Sequence, residues 1–378
     1  MKNPRLEKLA SILVEYSCTI QPKQLVMIKS DPVAMPLIDA IYVELIKKGA
    51  YVDLKLSPDH LKPLFFKYAN EDQLKYCSKL DLHTTKTIDA YIGIWSEVNT
   101  KALSHTSIAK QALNSASKKE LSSIFMERAG KEELNWCGTL FPTQASAQDA
   151  EMSLDEYEEF VFNAGYLNHK DPVKIWKEID VKQQKVANFL NTKKMLRFKA
   201  YNGTDLEVNV EDMKWISCCG KNNFPDGEVF TGPNLTAKDG GVNGYVHYSF
   251  PAIYRGHEVH DIELTFEKGV VVDYKASKGL DFLKAMIHQD EGSKRLGEIA
   301  IGTNFQIKEH TKNILFDEKI GGTFHAALGS GYPETGNKNM SGLHWDMICD
   351  LRKGGTVEAD GEVILKDGKF VFDDWPSA

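Results

Sequence analysis

The chain has 378 residues, beyond the size at which a single hydrophobic core usually keeps growing, so two domains are expected. Its 42% hydrophobic and 26% charged residues are ordinary globular composition, and a formal charge of -7 argues against a polyanionic partner such as nucleic acid. Glu7, Lys8 and Glu15 interrupt any apolar stretch near the start, and no run approaches the roughly twenty apolar residues of a membrane span, so neither export nor a membrane is expected and the protein reads as cytoplasmic.

Up to about residue 190 strand-like and helix-like segments alternate, the pattern of a parallel α/β layer. Asn3-Pro4 opens a helix as cap and first-turn proline, with Leu9, Ile12, Leu13 and Tyr16 on one face. A short apolar strand over 24–29 leads to a helix over 31–48 closed by Gly49, then a strand over 51–56, a helical stretch over 58–80 and a buried strand over 87–95. Two further helices precede Trp136, and helices follow over 153–162 and 172–190, the last carrying the chain across a boundary near Asn191. No G-x-G-x-x-G or P-loop follows any of these strands, so neither a dinucleotide nor an NTP site is expected.

Beyond the boundary the segments become short and turn-punctuated. Strands are expected over 197–200, 205–210, 245–250, 259–266 and 270–276, with a final hairpin turning at Asp360-Gly361 and Asp367-Gly368. A helix near 281–288 interrupts them. The fold class is therefore an α/β domain over 1–190 and an α+β, β-rich domain over 191–378.

Chemistry concentrates near the end of the chain. Gly321-Gly322-Thr323-Phe324-His325, Tyr332-Pro333-Glu334-Thr335-Gly336 and Leu343-His344-Trp345-Asp346 crowd imidazoles and carboxylates into a glycine-rich stretch. On a strand, residues two apart project from one face roughly 6.5 to 7 Å apart, so His344 and Asp346 could address one ion or an adjacent pair. Glu228 and Glu298 sit in glycine-flanked apolar settings, where a buried carboxylate needs a cation beside it. An exposed strand end remains the alternative for each glutamate, and a satisfied core histidine for His325 taken alone. Imidazole and carboxylate without thiolate suit zinc, cobalt or manganese, often as two bridged ions.

Other motifs carry less. His257-Glu258-Val259-His260 has its histidines three apart in strand-like alternation, not four apart on a helix, so it is read as sheet with exposed imidazoles. Cys18, Cys77, Cys137, Cys218, Cys219 and Cys349 form no Cys-x-x-Cys pair and are expected as free thiols, Cys218-Cys219 in a packing role. Three Asn-x-Ser/Thr triplets, at Asn202, Asn234 and Asn339, are read as turns and caps.

In order along the chain stand Asp226-Gly227-Glu228-Val229-Phe230-Thr231, Leu296-Gly297-Glu298-Ile299-Ala300, the run from Glu318-Lys319-Ile320-Gly321-Gly322 to Leu328-Gly329, Tyr332-Pro333-Glu334-Thr335-Gly336 and His344-Trp345-Asp346. With Trp136-Cys137-Gly138-Thr139-Leu140-Phe141-Pro142-Thr143 in the first half, these blocks resemble the thermophilic-type metalloaminopeptidases, the aminopeptidase T, aminopeptidase S and PepS group, over the full length. The resemblance implies a homodimer whose first domain shapes a cavity and whose second holds two divalent metal ions, acting on peptides with a free N-terminus. It further implies metal ligands at Glu228, Glu298, His325, His344 and Asp346 with Glu298 as the bridge, a further acidic position at Glu318, and Tyr332 steadying the tetrahedral intermediate. By position, Glu298 or Glu318 takes the proton of the attacking water. Met340 and Asn337 depart from the pattern, which bears on substrate preference. A dinuclear phosphoesterase or amidohydrolase, with Arg255, Arg295 or Arg352 as clamps, and a catalytically silent metal-stabilised scaffold are the competing readings.

Overall fold

The structure is a computed structural model and describes residues 3–377. It divides into two compact units, one formed by the residues up to Val173 with Gly220–Pro225, the other by Lys174–Cys219 with the residues from Asp226 onward. The chain passes from one unit to the other between Val173 and Lys174, in the first turn of the helix Pro172–Leu190, which buries Val186, Ala187 and Leu190 in the core of the second unit.

The first unit is built on a parallel sheet. Strands β1 (Leu25–Ser30), β2 (Tyr51–Leu56), β3 (Ala90–Trp95) and β4 (Asn135–Leu140) run in the order β2-β1-β3-β4, and the two-residue strand Asn223–Phe224 completes the edge beside β4. The Thr139 hydroxyl donates to the Phe224 carbonyl at 2.8 Å and helps tie that returning segment in place. The first helix, Pro4–Ser11, is capped by the Asn3 side chain accepting from the Arg5 amide, and Met35–Lys48 ends at Gly49 with φ +78°, a left-handed conformation that favours glycine.

The helical stretch expected over 58–80 is three helices, Leu61–Tyr68, Glu71–Lys75 and Lys79–Thr87. Asn70 and Ser78 each accept a hydrogen bond from a backbone amide three residues on, so the local polar side chains start new helices where hydropathy alone reads one. No helix among the described residues is long and apolar enough to cross a membrane.

The second unit contains an antiparallel eight-stranded sheet and a five-stranded one. The larger runs in the order Val270–Lys275, Glu263–Glu267, Val242–His247, Asp205–Asn209, Met195–Lys199, Thr356–Ala359, Glu362–Lys366 and Lys369–Phe370. The strand expected over 259–266 is broken: Asp261, at φ +50°, separates His257–Val259 from Glu263–Glu267. The smaller sheet comprises β5 (Ile216–Cys218), β6 (Glu228–Thr231), β7 (Leu296–Gly302), β8 (Thr323–Gly329) and β9 (His344–Asp350), ordered β9-β8-β7-β6-β5 and antiparallel throughout.

Period-two alternation splits this smaller sheet into two chemically different faces. Val229, Ile299, Ile301, Phe324, Ala326, Leu328, Trp345, Met347 and Cys349 belong to the hydrophobic core, where Phe198 of the larger sheet meets Phe324 with ring centroids 4.5 Å apart. The intervening positions carry the charged residues.

Candidate metal centre

Register explains how residues far apart in sequence meet. Glu298 on β7 stands opposite Ala327 on β8, and Ala327 opposite Asp346 on β9; His325 stands opposite Ala300, Gly329 opposite His344, and Gly302 opposite Glu228. Glu228, Glu298, His325, His344 and Asp346 each have an alanine or glycine on one side across the ladder, with Ile348 on the other side of His325 and Cys218 on the other side of Glu228, which leaves room above the strands. Gly329 is also required by its backbone, at φ +105°, where an added Cβ would lie 2.1 Å from the Leu343 carbonyl oxygen. Glu318 and Lys319 join the group from the end of the short helix Ile314–Asp317.

Three sets of side chains each bring one ligand atom per residue within 4.8 Å of one another: Glu228, Glu298 and His325; Glu298, His344 and Asp346; and Glu318, His325 and Asp346. Glu298 is common to the first two. His325 Nε2 lies 3.4 Å from Glu228 and 3.5 Å from Glu298, and His344 Nε2 lies 3.3 Å from Glu298 and 3.5 Å from Asp346. His344 Nδ1 donates to the Ser330 carbonyl at 2.8 Å, which orients the ring so that Nε2 faces the carboxylates. Tyr332 packs edge-on against both Phe230 and His344, with centroids 5.2 Å away in each case.

Electrostatics sort these groups. Burial pushes Glu298 up, but hydrogen bonds from His325 and His344 outweigh it and hold the carboxyl below the usual range. Asp346 is likewise brought down to about 2, its burial overcome by His344. Glu228 and Glu318 are raised, because for them burial dominates. Burial opposes protonation of the histidines, yet the adjoining carboxylates raise His325 to about 9 and His344 to about 12.

A family profile described as thermophilic metalloprotease (M29) matches residues 2–370. The chain belongs to the M29 metalloprotease family. It is 26% identical to aminopeptidase 2 of Geobacillus stearothermophilus, over 97% of this chain and 98% of that protein. It is 27% identical to aminopeptidase PepS of Streptococcus thermophilus, over 86% of this chain and 84% of the other. The solved structure of wild-type AmpT from Thermus thermophilus has the same fold, with a TM-score of 0.86 at 23% identity over 97% of this chain and 99% of that one.

Membership makes this chain a metal-dependent hydrolase of peptide bonds, and the carboxylates and imidazoles of the cluster fit a divalent cation. Glu228 Oε2, His325 Nδ1 and Asp346 Oδ1 are buried without a hydrogen-bond partner among the described residues, and the donor set is carboxylate and imidazole alone. All six positions singled out in the sequence as metal-ligating, Glu228, Glu298, Glu318, His325, His344 and Asp346, enter at least one of the three sets.

Lys319 was not among them. Its side chain has no exposure, its ammonium lies 3.7 Å from Glu228 and it donates to Glu318. Those two carboxylates raise it above the ordinary lysine value despite burial, which acts the other way. Its signal in the sequence was a lysine directly ahead of the apolar, glycine-rich run 320–329. The arginines considered as phosphate clamps are engaged elsewhere: Arg352 forks onto Asp350, Arg255 lies over the Tyr254 ring, and the Arg295 guanidinium approaches Gly269. His257 and His260 are half-buried and not exposed as expected, His257 stacking on Phe282 with centroids 4.2 Å apart. All six cysteines are free, and burial pushes the Cys218 thiol well above its ordinary value, which removes it as a nucleophile.

Proposed function

We propose that the chain is an aminopeptidase that removes N-terminal residues from peptides using two divalent cations, zinc, cobalt or manganese. The observation that carries this is Glu298, whose two oxygens face different histidines: Oε1 faces His325 and Oε2 faces His344. Glu228, Glu298 and His325 would hold one cation, and Glu298, His344 and Asp346 the other. When bound, such cations supply Lewis acidity for the scissile carbonyl and a water acidic enough to lose a proton near neutral pH.

The remaining steps belong to side chains. Glu318 lies outside the two sets that share Glu298, so it is the carboxylate left to take the proton of the attacking water and deliver it to the leaving amine, a role typically worth about 10² to 10⁴ in rate. Lys319 holds Glu318 in place by donating to it. The Tyr332 hydroxyl, on a ring clamped between Phe230 and His344, donates to the oxyanion as the carbonyl becomes tetrahedral. The free α-amine of the substrate would dock against one cation or a carboxylate of the group, which restricts cleavage to N-terminal residues.

Among the described residues no arginine pairs with these carboxylates, which favours this reading over a phosphoesterase. The test is hydrolysis of an aminoacyl anilide, its N-acetylated counterpart and an aryl phosphate, with chelator and with added zinc, cobalt or manganese. Only the free-amine anilide is expected to turn over, with chelation abolishing and cation restoring the rate. Equal cleavage of the acetylated substrate, or preference for the phosphate, would contradict the proposal.

A further inference from the structure

A second cavity lies in the first unit, far in sequence from the carboxylate cluster, on one face of the parallel sheet. Met27 on β1 pairs with Tyr91 on β3, which pairs with Trp136 on β4, forming an apolar and aromatic row. Two residues nearer the carboxyl ends the row reads Lys55, Lys29, Gly93 and Gly138 across β2, β1, β3 and β4. The two glycines let aromatic rings lie over them, Tyr91 over Gly93 and Trp95 over Gly138, so Lys29 and Lys55 stand beside an aromatic wall. Phe125, on the helix Lys119–Gly130, closes the space with edge contacts to Tyr91 at 5.6 Å and Trp136 at 5.9 Å between centroids. The cavity, open to solvent on one side, has a volume of about 380 Å³, within the range of small-molecule sites.

Charge in this cavity runs against the rest of the chain. Asp81 lines the cavity and pairs with Lys55; its charge also reaches Lys29, which makes no ion pair of its own among the described residues, and Lys62 and Lys118 add to the positive potential around it. In a chain of net charge -7 this local excess of cations is selective for an anion.

The chain steps outward from β1 to β2 and then crosses back to β3 on the other side, so the strand order reverses between β1 and β3; the crevice at the carboxyl ends of such strands, the usual binding place in open α/β sheets, adjoins this cavity through Lys29 and Tyr91. A nucleotide is nevertheless a poor fit. The turn after β1 is occupied by the Asp31 carboxylate, which accepts from the Val33 amide at 2.8 Å and the Asp59 amide at 2.7 Å, where a phosphate would otherwise be cradled. The charge that remains available is a single flexible ammonium above an apolar floor.

We propose that this cavity binds a small amphiphilic carboxylate, with its aromatic or branched apolar body on Met27, Tyr91 and Trp136 and its anion on Lys29. The site is independent of the peptidase reaction and of the cations that serve it.

The test is calorimetric titration of the full chain with indole-3-acetate and with its neutral isostere indole-3-acetamide, carried to ligand concentrations on the order of 10 mM. The carboxylate is expected to bind one per chain, at least about tenfold more tightly than the amide, as a charge-assisted contact predicts. Lys29→Gln should bring the two affinities together without altering peptidase turnover, and Phe125→Ala should weaken both ligands. No saturable binding of either compound, equal binding of the two by the wild-type chain, or a carboxylate preference that survives Lys29→Gln would overturn the proposal.

Discussion

The Lys319 ammonium lies 3.7 Å from a Glu228 carboxylate oxygen, and the lysine side chain is entirely shielded from solvent. A buried lysine is tolerated only where charge compensates it, and here it offsets part of the mutual repulsion of carboxylates gathered to hold cations. Lys319→Met should therefore cost about 3 kcal/mol in the metal-free protein, where Glu228 and Glu318 lose the ammonium that pairs with both. Added zinc should narrow the gap, because cations take over the compensation. Denaturant unfolding with chelator and with zinc measures both; an equal loss in the two conditions would show that the lysine acts through packing alone.

Cation uptake should release protons. In the chelated protein His325 is held up at about 9 and His344 at about 12, so both imidazoles are protonated at pH 7, whereas ligation needs the neutral form. For a group raised in the folded state, the stability it contributes is fully present below the unfolded histidine value of roughly 6.5 and is lost as pH rises through the folded one. The chelated protein should thus lose stability from His325 between about pH 6.5 and 9, while its affinity for cations rises over the same interval. Zinc titration in weakly buffered solution should release at least about one proton per chain at pH 7 and fewer at pH 10. An affinity flat across that interval would contradict the protonation scheme.

Tyr332→Phe preserves the ring between Phe230 and His344 and removes only the hydroxyl. Turnover should fall roughly 10²-fold, the usual cost of one oxyanion donor, with KM and cation content little changed. Loss of bound cation in this variant would instead place the hydroxyl among the groups that hold the site together.

Gln183, fully buried on the helix Pro172–Leu190, supports β6 from behind. Its amide donates to the Glu228 carbonyl at 3.0 Å and the Cys218 carbonyl at 2.9 Å, and it accepts from the Thr303 hydroxyl at 2.8 Å. Gln183→Leu leaves those groups buried without partners and should destabilise the chain by about 2 kcal/mol. Because the strand carrying Glu228 loses its anchor, cation affinity should drop as well; a thermal and metal titration in which neither quantity moves would dismiss the role.

Much of the centre was legible because strands have period two. His344 and Asp346 share a face for that reason, and the blocks around Glu228, Glu298 and His325 alternate apolar core residues with charged or small ones. What could not be read was long-range pairing: Glu298 meets Asp346 only through Ala327 on the strand between them, and no local pattern encodes that register. Lys319 was missed because a lysine beside a glutamate looks like a solvated turn, and only the approach of Glu228 makes burial tolerable. The helix breaks at Asn70 and Ser78 were hidden for the opposite reason, a local cap overriding an otherwise continuous pattern. The place of the division follows from contacts of Val186, Ala187 and Leu190 that no helical periodicity assigns to one domain or another.

The central claim is that Glu298 bridges two cations. Anomalous diffraction from crystals of the chain grown with zinc or manganese tests it most directly. The account predicts two peaks about 3.5 to 4 Å apart, one against Glu228 and His325, the other against His344 and Asp346, with Glu298 touching both, and loss of at least one peak together with activity in Glu298→Gln. A single peak that Glu298 does not touch, or two peaks undisturbed by Glu298→Gln, would contradict it.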